Sequence, residues 1–81
     1  MDITPYRIPP ARYARAKALV LEAIPVGHGQ TATLHEITAQ VREEFPQIPP
    51  TSVAGLLLVL SADGKVRFIG DGECRRYARR V

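Results

Sequence analysis

Two histidines, one cysteine and an adjacent pair of glutamates are the residues of this chain whose types could carry chemistry. His28 and His35 stand seven positions apart and Cys74 is distant from both. A structural zinc site takes four ligands, usually at closer spacings, so no metal site is expected. His35 reads instead as a surface residue in the first turn of a helix, and His28 as a loop residue. Glu43 and Glu44 are neighbours, and on a helix neighbouring side chains point about 100° apart. They read as a solvated face, not as a catalytic carboxylate pair. Cys74 precedes Arg75 and Arg76, whose charges would lower a thiol pKa; the plainer reading is a small residue packed by Phe68. Gly27-His28-Gly29 is a short loop without the helix that a phosphate-cradling glycine motif requires. Nothing assembles a nucleophile, a base and an oxyanion donor. The chain is expected to be no enzyme, with no catalytic residues and no cofactor.

Charge is more informative than chemistry. The 81 residues carry a formal net charge of +3, and its distribution is uneven. Residues 65–81 hold Lys65, Arg67, Arg75, Arg76, Arg79 and Arg80 against Asp71 and Glu73, a local excess of +4, whereas residues 31–50 sum to −2. A basic end of this kind favours an anionic partner, most often nucleic acid; its bland alternative is a solvated arginine-rich surface.

The elements that must position these charges follow from hydrophobic period and punctuation. Apolar residues make up 46% of the chain and charged residues 23%, an ordinary globular composition. At this length the chain forms one domain near the lower size limit for an unstapled core. Cys74 is a lone cysteine, so no intrachain disulfide can form. No apolar run reaches the roughly 18 residues of a membrane span, and the opening MDITPYRIPP lacks a signal-peptide layout. A cytoplasmic protein that does not enter membranes is expected.

Pro5 and Pro9 oppose a helix, so residues 1–9 read as an extended N-terminal arm. From Pro10 a helix runs through ARYARAKALVLEAI and stops at Pro25. Ala16, Val20, Ala23 and Ile24 form its apolar face, widened by Ala14, Ala18 and Leu21. Thr31-Ala32-Thr33 supplies a very short strand. Thr33 and Glu36 then form a capping-box signature, and Leu34, Ile37, Val41 and Phe45 line one face of a second helix that Pro46 closes. A third helix follows Pro49-Pro50, with Thr51 or Ser52 as its cap, an inward stripe of Val53, Leu56, Leu57 and Leu60, and Gly64 as its left-handed stop. Beyond it the period changes to two. Val66 and Phe68 face the core while Lys65, Arg67 and Ile69 face out, Asp71-Gly72 is a hairpin dipeptide, and the strand returns from Glu73 to Arg80.

The order helix, short strand, helix, helix, two-stranded hairpin resembles winged helix-turn-helix proteins, from about Ala11 to the end. The stretch that carries the resemblance is SVAGLLLVLSADGKVRFIGDGECRRYARRV. Val53, Leu57, Leu60, Asp63, Gly64 and Val66 stand where that family has its apolar residue, two leucines, acidic residue, glycine and opening strand. The resemblance implies an α+β (mainly α) fold: a three-helix winged helix-turn-helix with a C-terminal two-stranded β-hairpin wing, occupying residues 10–81.

It also implies a partner. In that family the third helix enters the DNA major groove and the wing touches phosphates or the minor groove. Carried over, Thr51, Ser52 and Gly55 would face bases, Lys65, Arg67, Arg75 and Arg76 would lie on the wing, and Arg79 and Arg80 would extend the phosphate contacts. The expected function is a small regulator of transcription, or an accessory factor of a mobile element, that binds double-stranded DNA. One departure stands out. Residues 51–61 contain no Lys, Arg, Asn or Gln, the side chains that make bidentate base contacts. Their outer face, with Leu58 and Val59, suits a protein partner or homodimer as the alternative.

Overall fold

Thr33 begins the second helix in the way its neighbours dictate. Its hydroxyl accepts the Glu36 N–H at 3.2 Å, and Glu36 Oε1 accepts the Thr33 N–H at 2.8 Å, closing a complete capping box. Around this point a computed structural model of the protein, describing residues 6–27 and 29–80, arranges three helices and three strands. A 3-10 turn at Pro10–Arg12 leads into α1 (Tyr13–Glu22); β1 (Ala32–Thr33), α2 (Leu34–Val41) and α3 (Pro50–Ala62) follow; β2 (Val66–Ile69) and β3 (Arg76–Arg79) complete the domain.

The helices pack on one another through the faces their periods set out. Ala16 and Val20 of α1, Ile37 and Val41 of α2, and Val53, Leu56, Leu57 and Leu60 of α3 are all buried. Phe45, Ile48, Val66 and Tyr77 join them in one core. Ala14 and Ala18 do not widen the α1 face as expected: both are exposed. α2 also ends earlier than Pro46, at Val41, and turns carry the chain to Phe45, which is still buried. Arg42 holds this turn region to the connector, donating Nε–H to the Ile48 carbonyl at 2.9 Å.

α3 starts on prolines rather than on a hydroxyl. Pro49 is its N-cap and Pro50 its first residue, with no side-chain cap bond, so neither Thr51 nor Ser52 caps it. Proline suits this first position because its missing N–H would have had no helical partner. At the other end Gly64 adopts φ +75°, the left-handed stop that the sequence required.

The sheet has three strands, not the two of a plain hairpin. Its order is β1-β3-β2, all antiparallel, with β3 in the centre. β1 joins by pairing Ala32 with Tyr77 and Thr33 with Arg76. The β2–β3 connection also differs from expectation. A two-residue turn at Asp71-Gly72 needs positive φ at both positions, yet Asp71 is extended at φ −130°. Instead Gly70 takes φ +81° and a 3-10 turn spans Gly72–Cys74. The tight turn would have set Phe68 opposite Arg75. The longer connection slides β3 by two residues and sets Phe68 opposite Tyr77, where their rings meet edge to face at 5.1 Å. A slip of two keeps every side chain on its face; what it changes is the partner. Cys74 lies exposed in the turn, where a packed residue was expected.

Residues 1–5 of the expected arm lie outside the described residues. Tyr6 and Ile8 are half-buried against the core, so the described part of the arm is docked.

Candidate functional site

Alternation along the sheet sorts the C-terminal arginines. Val66, Phe68, Tyr77 and Ala32 occupy the face toward the helices, and they are buried or half-buried. Arg67 lies opposite Ala78 and Ile69 opposite Arg76, so these four share the outer face. Arg80 extends it, because its N–H donates to the Lys65 carbonyl at 2.9 Å one step beyond the paired strands. Arg67, Arg76 and Arg80 therefore stand around Ala78 on one surface, with Ile69 exposed opposite Arg76. Ala78, though on this face, is buried, and it lines a groove of about 420 Å³ bordered by Gly27, Gly29, Thr31, Arg67, Arg79 and Arg80.

The other basic residues of this end do different work. Arg79 alternates to the other face of β3 and donates Nε–H to the Ile24 carbonyl at 2.8 Å, yet it still borders the groove of Arg67 and Arg80. Arg75 lies with its guanidinium 5.3 Å from the centre of the Phe68 ring, and its Nε is shielded without a hydrogen-bond partner among the described residues. It borders a second groove with Leu34, His35, Pro50 and Ala54, where the turn after β2 comes beside the first turns of α2 and α3. Lys65 lines a further groove with Tyr13, Leu21 and Leu60.

Ion pairing among the described residues concentrates on α1 and the turn that precedes it. Arg15 forms a two-point contact with Glu44, Nε to Oε2 at 3.0 Å and Nη2 to Oε1 at 3.1 Å, and Arg12 adds a third bond at 2.9 Å while lying over the Phe45 ring. The bond from Arg15 holds the Glu44 carboxyl below the usual glutamate range, and Glu44 raises Arg15 in return. Lys17 meets Asp63 at 3.3 Å. On the sheet, by contrast, Arg76 donates Nε–H to Thr31 Oγ1 at 2.6 Å and comes within 3.9 Å of Glu36. Among the described residues no ion pair involves Arg67 or Arg80. Glu36 itself is held below the usual range mainly by the Thr33 N–H.

The third-helix residues sit elsewhere. Thr51 is exposed in the first turn of α3. Ser52 and Gly55 open into a groove of about 600 Å³ between α3, Tyr13 and the arm at Tyr6 and Ile8. Leu58 and Val59 lie on the outward surface of α3, 59% and 36% exposed. Of the nine residues expected at DNA, seven thus divide among four grooves, and Thr51 and Arg76 border none of these. What sequence reasoning missed is the anchoring of Arg12 and Arg15 by Glu44 and of Arg76 by Thr31. Each acceptor lies far from its donor in the chain, and neither carries a local signal.

Among the described residues no three His, Cys, Asp or Glu side chains converge as metal ligands, and no helix is long and apolar enough to cross a membrane. No protein-family model matches the chain, and no curated protein matches its sequence.

Proposed function

We propose that this chain is a winged-helix domain that binds double-stranded DNA chiefly through the outer face of its sheet, as a small DNA-binding regulator. The observation that carries this reading is the segregation of cations. Arg12, Arg15 and Lys17, at α1 and the turn before it, are matched by Glu44 and Asp63, while Arg67, Arg76 and Arg80 line one strand-bordered surface where, among the described residues, only Glu36 comes within 4.0 Å of one of them. Guanidinium groups spaced along a sheet suit successive backbone phosphates, for which they offer charge-assisted hydrogen bonds.

The third helix contributes less to this reading. Thr51 is available for a contact at its exposed first turn, but α3 has no side chain that makes a bidentate base contact. Binding is therefore dominated by phosphate contacts and is weakly sequence-selective. Titration of a labelled duplex at two salt concentrations tests it. Affinity should fall steeply as salt rises, and no binding at low salt would end the proposal.

A further inference from the structure

α3 has no charged residue along its 13 positions. Its outward line is Thr51, Gly55, Leu58 and Ala62, at spacings of four, three and four, which is the repeat along which two helices can mesh. Leu58 projects from this line, 59% exposed. One turn earlier, Gly55 leaves a gap: a Cβ placed there would meet nothing within 4 Å, and its backbone does not take the positive φ that calls for glycine. Glycine weakens a helix interior relative to alanine, and packing within the monomer gives no return for it at this position. Close approach by another backbone or side chain would.

A projection one turn from a gap, on the same line, is self-complementary. A two-fold axis crossing α3 between Gly55 and Leu58 lays a second α3 antiparallel on the first. Each Leu58 then enters the gap at the other copy's Gly55, which opens into the groove bordered by Tyr6, Ile8 and Tyr13. The flanking charges agree with that orientation. Arg7 borders the groove near Ser52, and Asp63 caps the opposite end of α3 on the same side, toward α1, where Lys17 meets it. Antiparallel pairing brings Arg7 of each copy toward Asp63 of the other. Two molecules of net charge +3 repel over most of their surfaces, and the uncharged line of α3 is a place where like-charged copies can meet.

We propose that two copies of this chain pair antiparallel through α3, with Leu58 of each seated at Gly55 of the other. One helix face of about 20 Å is a small interface, so the intact chain, without DNA, should dimerise reversibly at concentrations of roughly 10–500 µM in sedimentation equilibrium. Leu58→Glu places like charges near the axis. Gly55→Gln fills the gap with a residue that favours the helix. Each should weaken dimerisation at least about tenfold, with far-UV circular dichroism and the melting transition retained. Should Leu58→Glu fail to fold, Gly55→Gln alone decides. A wild-type chain that stays monomeric across the range overturns the proposal, as does a dimer unmoved by Gly55→Gln. The inference stands apart from the DNA reading: a monomer here leaves the salt titration to decide that question separately.

Discussion

Arg79 donates its Nε–H to the carbonyl of Ile24, 2.8 Å away, and so ties the central strand to the residues that follow α1. This arginine, expected among the phosphate contacts, borders the same groove as Arg67 and Arg80 while its Nε–H is committed to the Ile24 carbonyl. The carbonyl it meets lies just beyond the end of a helix, where uncompensated C=O groups favour a cation.

Arg79→Ala should therefore lower stability by about 1–2 kcal/mol through loss of a charge-assisted hydrogen bond. Urea unfolding of the variant measures this directly. Its effect on DNA affinity at saturating folded fraction should be smaller than that of Arg67→Ala.

For the outer face the expectation is the reverse. Arg67→Ala and Arg80→Ala should leave the urea midpoint nearly unchanged. Each should reduce the slope of log affinity against log salt by about 0.9 if it meets one phosphate. The loss should be alike on unrelated duplex sequences, which a competition titration with two duplexes will read.

The turn after β2 offers a test that depends on backbone alone. A Cβ at Gly70 would stand 3.1 Å from the Cys74 carbonyl oxygen, at φ +81°, whereas one at Gly72 would meet nothing within 4 Å. Gly70→Ala should cost about 1–3 kcal/mol, the range for a strained left-handed residue. Gly72→Asn, which tolerates this conformation, should cost less. Thermal melts of the two variants rank the positions.

Acid should weaken the fold through Glu36 and Glu44. Both carboxyls are held below their usual range, Glu36 first by the Thr33 N–H and Glu44 first by Arg15. A group whose pKa is lower when folded contributes stability above its unfolded pKa and loses it as pH falls through the folded value. Stability should thus decline below the ordinary carboxylate range. Glu44→Gln should flatten part of that decline in urea midpoints measured across acidic pH. Thr33→Ala should cost about 1 kcal/mol at neutral pH by removing the cap.

Local signals carried much of this fold into the sequence. Val53, Leu56, Leu57 and Leu60 repeat at helical spacing and are buried together; Thr33 and Glu36 cap α2; Gly64 stops α3. Long-range choices were not legible in the same way. Thr31-Ala32-Thr33 reads locally as a short strand, but no local signal marks β3 as its partner. Asp71-Gly72 carries a strong hairpin signal, but Gly70 makes the left-handed turn and lets Tyr77 reach Phe68. The candidate face was half legible. Alternation placed Arg67 outward, whereas the inward bond of Arg79 depends on a carbonyl 55 residues earlier in the chain.

The order β1-β3-β2 also sets a timetable. β3 is central, yet it is the last of the described strands, and Tyr77 must find Ala32 across 45 residues. Helices α1, α2 and α3 can collapse from nearby contacts, but closing the sheet carries the larger loop entropy. Arg67 and Arg76 belong to β2 and β3, with Arg80 next in the chain, and these two strands pair across a short connection, so their shared face can form before β1 docks. What waits for the long closure is Thr31, whose hydroxyl reaches Arg76 only once β1 is in place.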